Sequence, residues 1–366
     1  MKVAALLVNW RDAAGTAAAA RSVRDDDAAT EIVVVDNSDD DAHWQALREA
    51  LPEGARAVRA EGNLGFGRGC NLAMRHTDAP LLMLVNPDAR LRSGCAGALR
   101  AAMAAEPRLA AVAPRQFLDD ACAWMLPPAW LPTALRAWVA ERTMREPALR
   151  PRWARAARAE SLRYWRADAP LRQRALSGAV MMVRRAALEA SRTLPGELFD
   201  PRYFMYFEDA DLCLRLRREG WRLALAPDAR AVHRWRNAPH KAALMQQGMQ
   251  AYFATHFGPG DPWQARREAL AGQPPGPPWD PQAQPLAGTT LRVNAGEAHD
   301  WCVEVSPHPN LWPAVGCLGR GPATLELGEV LEAIAGGAQA WVRLSGMGDE
   351  PLERARLWRW DARASR

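Results

Sequence analysis

Three acids fall within four positions at Glu208-Asp209-Ala210-Asp211, directly after the aromatic run Tyr203-Phe204-Met205-Tyr206-Phe207. A carboxylate so placed can take a proton from an attacking hydroxyl, and neighbouring rings can cover the apolar faces of a sugar. Acids are also favoured in the first turn of any helix by its dipole and capping needs. Further on, Ala231-Val232-His233-Arg234-Trp235 places an imidazole where it could complete the coordination of a cation; a lone histidine is otherwise structural.

Three earlier clusters are richer in phosphate and nucleoside chemistry. Val35-Asp36-Asn37-Ser38-Asp39 puts a carboxylate and an amide where they can bond a base edge or ribose, or simply cap a turn. Gly62-Asn63-Leu64-Gly65-Phe66-Gly67-Arg68-Gly69 lets backbone come close to a ligand and leads into a helix whose amides attract phosphate, with a flexible turn as the alternative. It is not a nicotinamide fingerprint, because the first apolar run is followed by Asn9-Trp10-Arg11-Asp12 without glycines, nor does it end in the Gly-Lys-Ser/Thr of a phosphate loop. Val85-Asn86-Pro87-Asp88 offers one carboxylate that could bridge magnesium or manganese to a diphosphate, and is equally a common turn.

The elements that must hold these groups are legible as short apolar runs. Val3–Val8, Glu31–Val35 and Leu81–Val85 suit strands of a parallel sheet buried on both faces. Helical stretches lie between them at 13–28, 42–50 and 71–76, which argues for an α/β fold whose ligands sit outside the carboxyl ends of the strands. Ser177–Val183 reads as another buried strand, 208–219 as a helix closed by Gly220, and Trp221–Ala226 as a strand ending at Pro227. From 290 to 344, four short segments of period-two character predict a small antiparallel β domain, in which His299 and His308 read as structural.

The 366 residues predict two or three domains with a sizeable core; 49% hydrophobic and 24% charged residues exclude a disordered chain. Of the 47 basic residues 45 are arginine, against a net charge of +5. Residues 134–174 alone hold 11 arginines against four acids, a local net of +7. With Trp130, Trp138, Trp153 and Trp165 interleaved, this segment reads either as a solvated helical face or as a contact for an anionic lipid surface or lipid-linked acceptor. No nucleic-acid module accompanies the charge. Six unpaired-looking cysteines and no signal-peptide or membrane-spanning pattern lead to the expectation of a cytoplasmic protein, peripheral at most on the inner face of the membrane. The expected organisation is an α/β domain over 1–270 with an Arg-rich helical insertion at about 120–174, a Pro-rich linker at 271–287 and an accessory β domain at 288–366.

Taken together, VNW at 8–10, VVVDNSD at 33–39, GNLGFGRGCN at 62–71, LVNPDARL at 84–91, LSGAVMMVRR at 176–185, FDPRYFMYFEDADLCLRLRREGW at 199–221 and AVHRW at 231–235 resemble the family 2 glycosyltransferases of GT-A fold. The rhamnosyltransferase-like branch, in which asparagine-proline-aspartate stands where most have Asp-x-Asp, is the most similar. The resemblance covers about residues 1–260. It implies a Rossmann-like α/β domain and an inverting hexosyltransferase using a dTDP- or UDP-linked sugar and a glycan or lipid-linked acceptor in cell-surface polysaccharide synthesis. It implies nucleotide or donor contacts at Asn9, Trp10, Asp36, Asn63, Gly65, Arg68, Asn86 and Gly178, a divalent cation at Asp88 and His233, and catalysis by Asp209 with Glu208 beside it. Asn86 leaves one negative charge at the cation in place of two. A glycan-binding or scaffolding protein of lost activity is the competing expectation, against which stand the retained Asp88, Glu208, Asp209 and His233.

Overall fold

Val3–Val8 is apolar at every position because the strand it forms is covered on both faces. In the computed structural model, which describes residues 1–237, 241–294, 300–347 and 355–363, that run is β1 (Val3–Asn9). The chain continues through α1 (Ala13–Asp26), β2 (Glu31–Asp36), α2 (Asp41–Ala50), β3 (Arg56–Arg59), α3 (Phe66–Met74) and β4 (Leu81–Val85). Side chains alternate between two cores, with Ala4, Leu6 and Val8 on one face of the sheet and Val3, Ala5 and Leu7 on the other.

Next come β5 (Ala89–Leu91), α4 (Cys95–Ala105), β6 (Leu109–Phe117), the Arg-rich helices α5 (Ala134–Arg145) and α6 (Arg150–Trp165), β7 (Leu171–Gln173), β8 (Val180–Arg184), α7 (Arg185–Glu189), α8 (Glu208–Arg218) and β9 (Arg222–His233). These strands form one sheet in the order β3-β2-β1-β4-β8-β6-β9-β5, with β7 paired to β9. The first four in that order run parallel, and β8 is antiparallel to both β4 and β6. That reversal builds the site: β1, β2 and β4 end at the edge where β8 begins. Pro227 does not end its strand as the sequence reading expects. The register against β6 jumps from Pro114 opposite Ala226 to Arg115 opposite Arg230, and the irregularity absorbs the proline, so β9 carries on to His233.

After α9 (Lys241–His256) and α10 (Pro262–Ala271), the C-terminal unit comprises β10 (Gln284–Pro285), β11 (Thr290–Val293), β12 (Asp300–Ser306), β13 (Val315–Arg320), β14 (Ala323–Glu326), α11 (Gly328–Ala335), β15 (Gln339–Gly346) and β16 (Arg356–Asp361). Its strands pair as β10-β16-β15-β12-β13 and β11-β14. The expected α/β sheet with a second, smaller antiparallel sheet is therefore what the chain folds into. Four elements of this unit were not anticipated: β10, which falls in the expected linker yet pairs with β16, then β13, α11 and β16 itself. β13 is broken in sequence by Gly316 and Gly319, where a Cβ would meet the rings of Trp165 at 2.5 Å and Trp301 at 2.1 Å; α11 buries Val330, Leu331 and Ile334 against the sheet.

Part of the Arg-rich segment is spent on internal contacts, while Arg152, Arg163, Arg166, Arg172 and Arg174 are exposed. Arg158, 8% exposed, bonds Glu304 of β12, which also receives Arg343 of β15; Arg158 further reaches Ser345 and the carbonyl of Gly346. Arg136 pairs with Glu160 and Arg142 with Glu146. All four tryptophans have protein partners: Trp130 and Trp153 meet Trp312, Trp138 meets Trp263, and Trp165 is buried with its Nε1 donating to Leu126 O. Each ring is thus packed against the protein, Trp165 fully and the other three with part of their surface still exposed. The Pro-rich run is likewise not a free spacer, since Arg150 donates to the carbonyls of Pro277 and Pro278, and Trp279 packs on Trp153. His299 lies outside the described residues; the His308 amide donates to Ser306 Oγ.

Candidate active site

Parallel register places Asn9 beside Asp36 at the ends of β1 and β2. The Asn9 amide donates to Asp36 Oδ1 at 2.8 Å and accepts from Thr16 Oγ1 at 2.7 Å. With no exposed surface, Asn9 orients Asp36 rather than offering an atom to a ligand. Asp36 Oδ1 also accepts from Ser38, but its Oδ2 is buried without a partner, as is Asn37 Oδ1. Unpaired buried acceptors are costly, roughly 1–3 kcal/mol each, and point to donors a ligand would bring. Trp10, one residue past β1, is 55% exposed, with the Arg11 guanidinium 5.8 Å from its ring centroid, and a planar ring could stack on it.

The glycine-rich loop differs from its expectation as a bare phosphate cradle. A Cβ on Gly65 (φ +80°) would lie 2.3 Å from Phe204 O, one on Gly67 3.3 Å from Phe199, and one on Gly69 2.9 Å from Val8. These glycines bring α3 against the sheet and the aromatic lead-in to α8. Phe66 N donates to Phe204 O, the Asn63 side chain closes the turn onto Gly65 N, and the exposed Arg68 donates to Pro201 O. The lead-in itself is bent through two consecutive left-handed residues, Tyr206 (φ +70°) and Phe207 (φ +69°), a conformation costly for bulky side chains. Gly248 of α9 makes room for it, since a Cβ there would sit 2.5 Å from Tyr206 O.

That bend delivers the acids with unlike fates. Asp209 accepts from Gly178 N at 3.1 Å and from Ala210 N at 2.7 Å, so Gly178 is placed to hold the carboxylate. Burial pushes the Asp209 carboxyl above its ordinary range, against those two amides, which favour the ionised form. Glu208 turns the other way, inward beside Gly67 and Cys70 under α3, with Oε2 buried and unpartnered. Burial first, then the neighbouring Asp209 charge, pushes it up to about 8. With its own backbone amide the only donor to its carboxylate, against two or more for Asp209, Glu208 is the member of the pair pushed higher. Asp211, the third acid, is tied to Arg215 and His256 away from both.

At the end of β4, Asn86 N donates to Ala179 O, which joins this corner to the Gly178 turn. Continued pairing of β9 with β5 sets His233 opposite Ala89, and His233 Nε2 comes within 3.5 Å of Asp88 Oδ1. Partial burial would raise the Asp88 carboxyl, but the hydrogen bond and charge of His233 and the charge of Lys241 hold it below the usual range. The pair fits a hard divalent cation: ligands bound at about 2.1 Å on adjacent octahedral positions stand roughly 3 Å apart. Asn86 Oδ1, buried and unpartnered, adds a further oxygen at this corner. Among the described residues no three His, Cys, Asp or Glu side chains converge, so phosphate oxygens and water would supply the remaining ligands.

Asp209 and His233 open into one cavity of about 350 Å³, lined also by Ser177, Gln116, Trp130, Tyr164 and Trp235. Sequence reasoning missed Gln116, Tyr164 and Trp235 as site residues; Trp235, two positions past His233, had the one readable signal. A larger cleft of about 870 Å³ contains none of the anticipated site residues, and its Asp211, Arg215, Arg218 and His256 are bonded to one another.

Against known proteins, an 83-residue stretch is 37% identical to N-acetylglucosaminyl-diphospho-decaprenol L-rhamnosyltransferase of two Mycobacterium tuberculosis strains, CDC 1551 / Oshkosh and H37Rv. It covers 22% of this chain and spans about a quarter, 23%, of those relatives. Among solved structures, a mannosyltransferase of Pyrobaculum calidifontis in complex with GDP-Man and Mn2+ aligns with TM-score 0.48 and 18% identity over 74% of this chain and 69% of its own. S. aureus TarS 1-349 aligns with TM-score 0.42 and 14% identity over 70% and 73%. The description "Glycosyltransferase like family 2" matches residues 17–270, well over half of the chain and all the acids and amides above except Asn9, and the chain belongs to that family.

Proposed function

We propose that the protein is an inverting glycosyltransferase that moves a sugar, rhamnose in the finest reading, from a dTDP- or UDP-linked donor to a glycan or lipid-linked acceptor. The observation that carries this is Asp209, held by two backbone amides and opening into the same cavity as His233, whose ring meets Asp88 at the end of β4. Asp36 and Trp10 bind the nucleoside, the first with its unpaired Oδ2 and the second by stacking. A cation at Asp88 and His233 neutralises the diphosphate when bound. Asp209 takes the acceptor hydroxyl's proton, the oxygen bonds to the anomeric carbon from the face opposite the phosphate, and the carbon–oxygen bond to the diphosphate breaks with its electron pair on the leaving group.

The rhamnosyl donor and lipid-linked acceptor rest on the short mycobacterial match, whose relative is named for both. Leu135 and Val139, exposed one turn apart on α5, support a peripheral position at a membrane's cytoplasmic face, and among the described residues no helix is long and apolar enough to cross one. We keep the division into 1–270, 271–287 and 288–366 as a proposal for the domain boundaries. A thermal-shift screen of dTDP-rhamnose, UDP-glucose and UDP-N-acetylglucosamine, with and without manganese, tests the reading. One donor should raise Tm with its concentration; no shift with any nucleotide sugar would sink it.

A further inference from the structure

The family match stops at residue 270, yet the cavity at Asp209 does not. Pro307, Pro313 and Ile334, all from the C-terminal unit, line it together with Trp130 and Tyr164. We infer that the C-terminal unit forms one wall of the acceptor pocket and decides which acceptor sugar reaches Asp209. This rests on the reading of Asp209 as the base.

The wall is fixed before any acceptor arrives. Met125 and Gly316 exchange two backbone hydrogen bonds, at 2.8 and 2.9 Å, and the buried Arg158–Glu304–Arg343 cluster clamps the Arg-rich helices to the same sheet. Pulling the helices away would leave the buried Arg158 without its carboxylate, so the unit does not swing away freely. The chemistry of the lining defines the occupant. Aromatic and proline faces, with Asp209 the one carboxylate in the lining, suit a ring that presents both C–H groups and a hydroxyl. That is a terminal sugar residue. The volume is at the small end of the range of ligand pockets, roughly 300–1,000 Å³, which fits a chain end better than a polymer passing through.

The experiment uses the full chain with methyl and octyl β-N-acetylglucosaminide and β-galactoside as probes, their binding measured by saturation-transfer NMR. Pro307→Trp, which fills the pocket from the C-terminal side, should raise the glycoside Kd about tenfold, in the range of pocket-size discrimination, while the nucleotide-sugar thermal shift stays as in the parent. Pro307→Ala should change glycoside Kd by a few-fold without touching donor binding, and decides the matter alone if the tryptophan variant does not fold. Unchanged glycoside binding in the folded variants, no glycoside binding to the parent, or binding of octyl but not methyl glycosides would each overturn the inference. Loss of nucleotide-sugar binding in the parent would instead indict the transferase reading.

Discussion

The two sides of the cleft are built from opposite materials. On the side proposed for the nucleotide, at the ends of β1, β2 and β4, buried oxygens of Asp36, Asn37 and Asn86 are left unpaired. On the far side, tryptophan, tyrosine and proline faces surround a single oriented carboxylate, Asp209. Unpaired polar atoms make binding depend on a ligand that supplies matching donors, so that side discriminates by hydrogen bonding. An apolar wall discriminates by shape, which is the weaker filter per contact.

Asp209→Asn should break the contrast most completely. It keeps the shape of the acceptor side while removing its one charge, and transfer should fall about 10²–10⁴-fold, with the nucleotide-sugar thermal shift retained. In the parent, kcat/KM should decline as pH falls through the raised Asp209 pKa, because the base works only when ionised. Next comes Arg158→Met, which leaves Glu304 paired with Arg343 but removes the bonds of Arg158 to Glu304, Ser345 and Gly346, and should cost about 1–3 kcal/mol in denaturant unfolding. Nucleotide binding at low temperature should survive it, since the damage lies on the acceptor side. Asp36→Asn is of similar size and falls on the other side: a charged hydrogen bond is worth about 1.5–3 kcal/mol, so donor affinity should drop roughly ten- to a hundredfold while acceptor KM holds. The smallest effect is expected of Glu208→Gln, with activity within about threefold of the parent. Because the Glu208 pKa is raised on folding, the parent should lose stability as pH climbs from about 4.5 towards about 8; the glutamine variant should not share that slope. Strong inactivation by Glu208→Gln would return that residue to the reacting groups.

The same contrast explains what could be read from sequence. β1, β2 and β4 are local apolar runs buried on both faces, and the polar residues after them follow directly. The Asp209 corner was legible because acids and aromatics are adjacent in the chain. The acceptor wall was not: Gln116, Tyr164, Pro307 and Ile334 lie far apart in sequence and meet only through packing of α6 and β13. The four tryptophans of the Arg-rich region were visible, but their partners Trp263, Trp279 and Trp312 sit more than a hundred residues away. The different surroundings of Glu208 and Asp209 were not legible either, since a step of about 100° in helical phase separates neighbouring carboxylates on α8.

The paired left-handed residues Tyr206 and Phe207 make the entrance to α8 a cocked joint. Strain of about 1–3 kcal/mol per residue is held there by the close fit of Gly248 and the hydrogen bond from Phe66 to Phe204. A glycine in either position would let the joint relax in folded and unfolded chain alike. Selection for heat resistance alone would therefore be drawn to this bend, where easing the backbone also frees the Asp209 carboxylate to wander. The joint sets a ceiling on how rugged this protein can become while keeping its aim.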